Sequence, residues 1–254
     1  IKEELMYTLY GNYTTATNFF EGNDVFELIR EYQSPLYIYN EKILRTRCKE
    51  MKNLVTYDNF VPHYSIKANS NIHLLKIIRE EGLHADVMSP GEIFLAKQSG
   101  FTSDELFFIP NNVVTEDMLY AIENKVITSV DSLSQLEMYG KLNPGGCVAI
   151  RFNPGVGAGH HEKVVTAGKA TKFGVSPEYI EDVKMLLKKY HLRLVGINQH
   201  IGSLFMDGDP YIRSTDSILE IAKNFDDLDF IDLGGGFGIP YHKQDNEPRL
   251  DMES

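Results

Sequence analysis

The stretch Val61-Pro62-His63-Tyr64-Ser65-Ile66-Lys67-Ala68-Asn69-Ser70-Asn71 reads as a short strand that delivers one lysine to the point where the chain leaves a sheet. In a strand, Tyr64, Ile66 and Ala68 face one way, and His63, Ser65, Lys67 and Asn69 the other. A strand lysine is ordinarily a solvated edge residue. Lys67 therefore gains meaning only from what the rest of the chain brings beside it.

Outward from this stretch the pattern is regular. Strands are expected near 63–68, 84–88, 106–109, 127–131, 147–152, 194–200 and 229–233, with helices at 71–81, 91–98, 115–124, 132–141, 178–190 and 211–224. Several helices carry readable ends. Ser132 and Ser134 precede Gln135 and Glu137, Thr115 stands as a cap before Glu116 and Asp117, and Ser176-Pro177-Glu178 puts proline in a first turn. Gly82, Gly100 and Gly140 follow or close helical runs. Strict alternation of strand and helix means a parallel sheet, closed as a barrel or open and doubly wound. Before it, Met6–Tyr10 is strand-like, Asp24–Gln33 helix-like and Pro35–Asn40 a further strand, followed by a charged helix through Lys52.

The strand ends carry the chemistry. They supply Lys67 and Asn69, Asp86 and Ser89, Asn111 and Asn112, Asp131 and Ser132, Arg151 and Asn153, His200 and Ser203, and then Gly234-Gly235-Gly236-Phe237-Gly238. In a β/α barrel these ends share one rim, where active sites form. Seven successive strands with polar residues at the same end remove the trivial reading of Lys67.

Each element has a plainer alternative. Gly234–Gly236 can be only a tight turn, but adjacent glycines let backbone N–H groups approach an anion closely. It is not a dinucleotide fingerprint, because the spacing is not GxGxxG and it follows the last strand rather than the first. Gly159-His160-His161-Glu162 does not read as a metal site, since adjacent histidines share no face of a helix or strand. His200 is as readily a hydrogen-bonded core histidine as a catalytic one, and Asp86 and Arg151 can simply pair with each other. Together the parts suit pyridoxal phosphate: a lysine to bond the aldehyde, amides to hold the phosphate, and a planar group beside the ring. Burial of the lysine, if it holds, favours the free amine.

Composition bounds the rest. The 254 residues are 43% hydrophobic and 24% charged, enough for one large domain. A net charge of -11 argues against nucleic-acid or anionic-membrane partners. No apolar run approaches the roughly 18–20 residues of a membrane span, and no signal-peptide pattern opens the chain. Cys48 and Cys147 imply no disulfide framework, so a cytoplasmic location is expected.

On four stretches the sequence resembles a known family, the fold-type III pyridoxal phosphate decarboxylases. They are Tyr64–Asn69 with Ala85–Glu92; Arg151-Phe152-Asn153-Pro154-Gly155; Thr166 to Gly174, ending Lys172-Phe173-Gly174; and His200-Ile201-Gly202-Ser203 followed by Leu233–Gly238. The resemblance covers about 35 to 241, and its 155–174 loop is more similar to the diaminopimelate branch than to the ornithine branch. It implies a (β/α)8 TIM-type barrel of the alanine racemase-like kind, with residues 41–254 binding the cofactor. Residues 1–40 would form an N-terminal segment, part of it pairing with a C-terminal β domain.

Residue by residue, the resemblance makes Lys67 the covalent anchor of pyridoxal phosphate and His200 the group stacked on its ring, both catalytic. Ser203 with Gly234, Gly235 and Gly236 become phosphate-binding positions. Asp86 and Arg151 become a charged pair beside lysine and ring, and Glu92 a supporting carboxylate. The implied reaction is decarboxylation of meso-diaminopimelate to L-lysine, the last step of lysine biosynthesis. The alternatives are an ornithine, lysine or carboxynorspermidine decarboxylase, or a non-catalytic homologue. The family's Glu-Pro-Gly-Arg element on an eighth strand and its β domain have no counterpart here, because Glu247-Pro248-Arg249 lacks the glycine. A truncated barrel, inactive alone and homodimeric only in the full-length protein, is the expectation.

Overall fold

The computed structural model describes residues 12–155, 172–242, 249, 250 and 252. Two short helices, α1 (Asn12–Ala16) and α2 (Val25–Tyr32), precede α3 (Glu41–Lys52). Then come β1 (His63–Ser65), α4 (Ile72–Glu80), β2 (His84–Val87), α5 (Pro90–Gln98), β3 (Leu106–Phe108), α6 (Thr115–Glu123), β4 (Ile127–Val130), α7 (Leu133–Leu142), β5 (Cys147–Arg151), α8 (Ile180–Tyr190), β6 (Arg193–Asn198), α9 (Asp209–Ala222) and β7 (Phe230–Asp232). The expected seven strands and six intervening helices are all present.

The strands form one parallel sheet in sequence order, β1 to β7. Contacts between non-adjacent strands show that it curls. Phe107 of β3 meets Phe230 of β7 with ring centroids 5.2 Å apart, whereas four strand spacings in a flat sheet would separate them by roughly 19 Å. Ser129 of β4 likewise donates to Asn198 Oδ1 of β6 at 2.6 Å, over the intervening β5. His63, Phe107 and Phe230 pack near the start of the strands, inside the curl. Outside it, the apolar faces of sheet and helices make one continuous core that includes Ile66, Leu75, Val87, Met118, Leu136, Ile150, Phe152 and Ile197.

Two strand-to-helix turns are built alike. Ser89 accepts from the amide of Glu92 at 3.3 Å while the Glu92 carboxylate accepts from the amide of Met88 at 2.7 Å. Ser132 accepts from Gln135 N at 3.3 Å, and Gln135 Oε1 accepts from Asp131 N at 3.3 Å. Both are reciprocal caps that satisfy orphan donors at a helix start.

Several expectations are corrected. Pro35–Asn40 is not a strand: aromatic alternation suits one, but the segment has no ladder partner among the described residues. Val114, not Thr115, precedes the first turn of α6, and no side chain caps it. Gly140 does not close α7 but lies inside it, where a Cβ would collide with the ring of Tyr190 on α8. Ser134 is also internal to α7. Met6–Tyr10 and Gly159-His160-His161-Glu162 lie outside the described residues.

Candidate active site

β1 stops at Ser65, and Ile66–Ala68 forms one 3-10 turn. Local hydrogen bonding ends the strand. Asn69 Oδ1 accepts from Asn71 N at 3.1 Å, and Asn71 caps α4 by accepting from His73 N at 2.9 Å. Ile66 turns fully into the core, so the alternation extrapolated to Lys67 fails one residue early. Lys67 is exposed rather than buried, in the turn that follows the edge strand β1. Its charge nonetheless acts on both Asp86 and His200.

Asp86, on β2 and level with Ser65, accepts the Ser65 hydroxyl at 2.7 Å on Oδ2. Its Oδ1 is buried with no described partner. Burial raises its pKa above the usual carboxylate range, opposed by the Ser65 hydroxyl and the Lys67 charge. Arg151, at the end of β5 and only 6% exposed, donates to Asn111 Oδ1 and to the His200 carbonyl, each at 3.3 Å. Phe173 lies 5.2 Å from its guanidinium carbon. Burial lowers its pKa, while the charges of Asp131 and Asp232 raise it. The expected Asp86–Arg151 pair is therefore not formed. Asp86 answers to Ser65 and Lys67, and Arg151 to carboxylates from β4 and β7.

His200 follows β6. Burial, then the charges of Arg151 and Lys67, hold its pKa down at about 4, so the imidazole is neutral near pH 7. Asp232, level with Asn198 at the end of β7, is half-open to the hollow yet ringed by protein. Burial pushes its pKa up to about 6, against the Gly234 amide that donates to Oδ1 at 2.8 Å. Sequence reasoning placed Asp131 at a strand end without giving it a role, and passed over Asp232. The usable signal was their register, because both end strands at the level of residues already chosen.

The glycine loop is zipped to the segment after β6. Phe205 N donates to Gly236 O at 3.2 Å, Gly238 N to Phe205 O at 2.8 Å and Gln199 N to Asp232 O at 3.1 Å. Gln199, 1% exposed, also donates its side-chain amide to Leu233 O at 3.3 Å and Ser214 Oγ at 3.2 Å. The approach is too close for side chains: a Cβ on Gly234 would strike Gln199 O, and one on Gly236 would strike Gly202 O. At Gly235 a Cβ would meet nothing within 4 Å. Among the described residues, the N–H groups of Gly235 and Gly236 donate to no protein acceptor. Ser203 follows Gly202 in the facing segment. Glu92, expected as a supporting carboxylate, serves instead as the cap on the Met88 amide.

This donor set fits pyridoxal phosphate on its own chemistry: an accessible amine, amides left free beside open space, a neutral imidazole and a buried carboxylate oxygen still lacking a donor. Among the described residues no group of three or more His, Cys, Asp or Glu could hold a metal ion, and no helix is long and apolar enough to cross a membrane.

Comparison with known proteins identifies the family. Residues 41–253 match the pyridoxal-binding domain of the pyridoxal-dependent decarboxylases. The diaminopimelate decarboxylase of Methanothermobacter thermautotrophicus is 35% identical over 240 residues, covering 91% of this chain and 56% of that protein. That of Aquifex aeolicus is 30% identical over 252 residues, covering 95% and 60%. Among solved structures, the diaminopimelate decarboxylase of Helicobacter pylori complexed with L-lysine superposes with a TM-score of 0.84 at 27% identity, covering 91% of this chain and 60% of that one. The chain thus spans a little over half the length of the relatives it matches.

Proposed function

The chain belongs to the pyridoxal-dependent decarboxylase family, and from that premise we propose that the whole protein removes a carboxylate as CO2 from meso-diaminopimelate to give L-lysine. One observation supports the chemistry: the same end of the parallel sheet carries the exposed Lys67, the unsatisfied Oδ1 of Asp86 and the amides of Gly235 and Gly236, and the Lys67 charge acts on both Asp86 and His200. The substrate choice is supported by relatives named diaminopimelate decarboxylase at 30–35% identity.

Lys67 would hold the cofactor covalently through Nζ, the amides of Gly235 and Gly236 with Ser203 would hold its phosphate, Gly234 giving the loop its close turn, and His200 would lie flat against its ring. When bound, pyridoxal phosphate supplies an electron sink for the pair left behind as CO2 departs. The chain's own residues prepare that step. Asp86 Oδ1 is an acceptor without a donor, so a cationic or N–H group placed beside it removes an energetic deficit. Burial, then the charges of Arg151 and Lys67, keep His200 uncharged, which suits a stacking group rather than a proton carrier. The charges of Asp131 and Asp232 favour the protonated guanidinium of Arg151 against its burial.

A homodimer, a cytoplasmic location and a role in lysine biosynthesis belong to the same reading, as does the pairing of part of residues 1–40 with a β domain in the longer protein. The test is an assay of the full-length protein with pyridoxal phosphate against meso-diaminopimelate, ornithine and lysine. L-Lysine and CO2 from diaminopimelate are expected. Turnover of ornithine with none of diaminopimelate would sink the substrate assignment.

A further inference from the structure

The segment 35–40 has no strand partner among the described residues, yet it places Tyr39 against the exit of the Lys67 turn. Asn69 is where three elements meet. Its Nδ2 donates to the Tyr39 hydroxyl at 2.9 Å, its Oδ1 accepts from Asn71 N at 3.1 Å, and its carbonyl accepts from the Tyr64 hydroxyl at 3.3 Å. Tyr39 is itself held from the next residue. Asn40 caps α3 by accepting from Ile43 N at 2.9 Å, and it donates to the Phe19 carbonyl at 2.6 Å. Tyr64 packs its ring in a small core with Cys48, Ile78, Leu83 and Leu44. The fixed point at Asn69 therefore lies two residues from Lys67 and is anchored to α3, β1 and α4.

The lysine turn needs such a point. Ile66–Ala68 is a single 3-10 turn without a side-chain cap, a geometry with poor intrinsic hydrogen bonding. Only Ile66 of its three residues is buried. A lysine side chain there keeps most of its rotamer freedom, and that freedom is lost when Nζ bonds covalently. We propose that Tyr39 is a positioning residue for Lys67: its hydroxyl, acting through Asn69, fixes the backbone of the Ile66–Ala68 turn and so sets where Nζ meets the cofactor aldehyde. The inference rests on the reading of Lys67 as covalent anchor. It assigns a role in the site to a residue that lies before the first barrel strand.

The test uses full-length protein, limiting pyridoxal phosphate and quenching with sodium borohydride at successive times. Nζ condenses with the aldehyde carbon and water leaves. Hydride from borohydride and a proton from solvent then saturate the C=N bond, so each captured cofactor becomes a stable secondary amine on the lysine. Tyr39 is 51% exposed, and Tyr39→Phe removes only its oxygen. Capture in Y39F is expected to be about fivefold slower than wild type, the worth of one neutral hydrogen bond. Competition by inorganic phosphate should stay unchanged, and the melting temperature should fall by no more than about 4 °C. Asn69→Ala, which also loses the Asn71 contact, should be slower still.

Unchanged capture in Y39F, with capture abolished in Lys67→Ala, would overturn the role of Tyr39 and leave the anchor reading standing. A K67A protein that is labelled like wild type would overturn the anchor reading itself. Slower capture accompanied by an equal loss of phosphate affinity would mean general loosening, and would also overturn positioning.

Discussion

The middle of the sheet and its two outer strands are held by different physics. In β3 and β5 nearly every residue is buried, with Phe108, Val148, Ala149 and Ile150 at 0% exposure. β1 and β7 have no fully buried residue. Yet the outer strands deliver Lys67 and the glycine loop, while the middle delivers the buried Arg151. Burial dominates in the middle strands. The outer ones depend on particular bonds: Tyr39 to Asn69 on one side, and Gln199, Phe205 and Gly238 on the other. Half of the site's precision is thus a property of the core and half a property of loops.

The sharpest way to break this division is Phe152→Ala. Phe152 is fully buried at the end of β5, and truncation should cost about 3–5 kcal/mol in urea unfolding through lost transfer energy and a cavity. Gln199→Leu, at the outer edge, should cost about 1–3 kcal/mol, because the Leu233 and Ser214 groups lose a buried donor. Equal losses would show that the edge is as much core as the middle.

The glycines sharpen the comparison next. Gly236→Ala drives a methyl into the Gly202 carbonyl, so cofactor affinity should fall at least about tenfold, a shift of 1.4 kcal/mol or more. Gly235→Ala meets only open space, and its stability should stay within about 0.5 kcal/mol of wild type. Equilibrium binding of pyridoxal phosphate, with melting curves of the unloaded proteins, distinguishes them. Equal stability losses in the two variants would remove the case that contact with the β6 segment shapes the loop.

The smallest effect concerns pH. His200 is held down at about 4, so between roughly 6.5 and 4 the unfolded chain takes up a proton that the folded chain refuses, and stability falls as pH drops. His63, also held near 4 by burial and by His84, adds in the same sense. Asp232 acts oppositely. With a folded pKa of about 6, it takes a proton first in the folded state, so its contribution is greatest at low pH and is lost as pH rises through 6. Asp232→Asn removes that offset. Melting of the unloaded variant should therefore decline more steeply than wild type from pH 6.5 to 4, by on the order of a few degrees. Parallel curves would show that Asp232 carries no such linkage.

What was legible in the sequence follows the same divide. The helix start at Ser132 was readable because a cap acts within three residues, and the strands because apolar runs alternate with helical periods. The rim position of Lys67, Arg151, His200 and Gly234–Gly236 followed from strand order alone. The 3-10 turn at Lys67 was not readable, because the alternation of β1 gives no sign of where Asn69 and Asn71 claim the backbone. The partners of Arg151 were not readable either. Asp131 stands at the end of the adjoining strand and Asp232 comes near across β6 as the sheet curls, and nothing local distinguishes either from Asp86. Pro35–Asn40 has the side chains of a strand, but a strand also requires a neighbour.

The paired caps at Ser89–Glu92 and Ser132–Gln135 bear on the order of assembly. Each closes a loop of only four or five residues, so it can form on the timescale of helix nucleation without waiting for the sheet. The zipped segment from Gln199 to Gly238 joins residues more than thirty apart and must await the meeting of β6 and β7. The turns beside Asp86 and Asp131 thus belong to the local part of folding, and the glycine cradle to its later, long-range part.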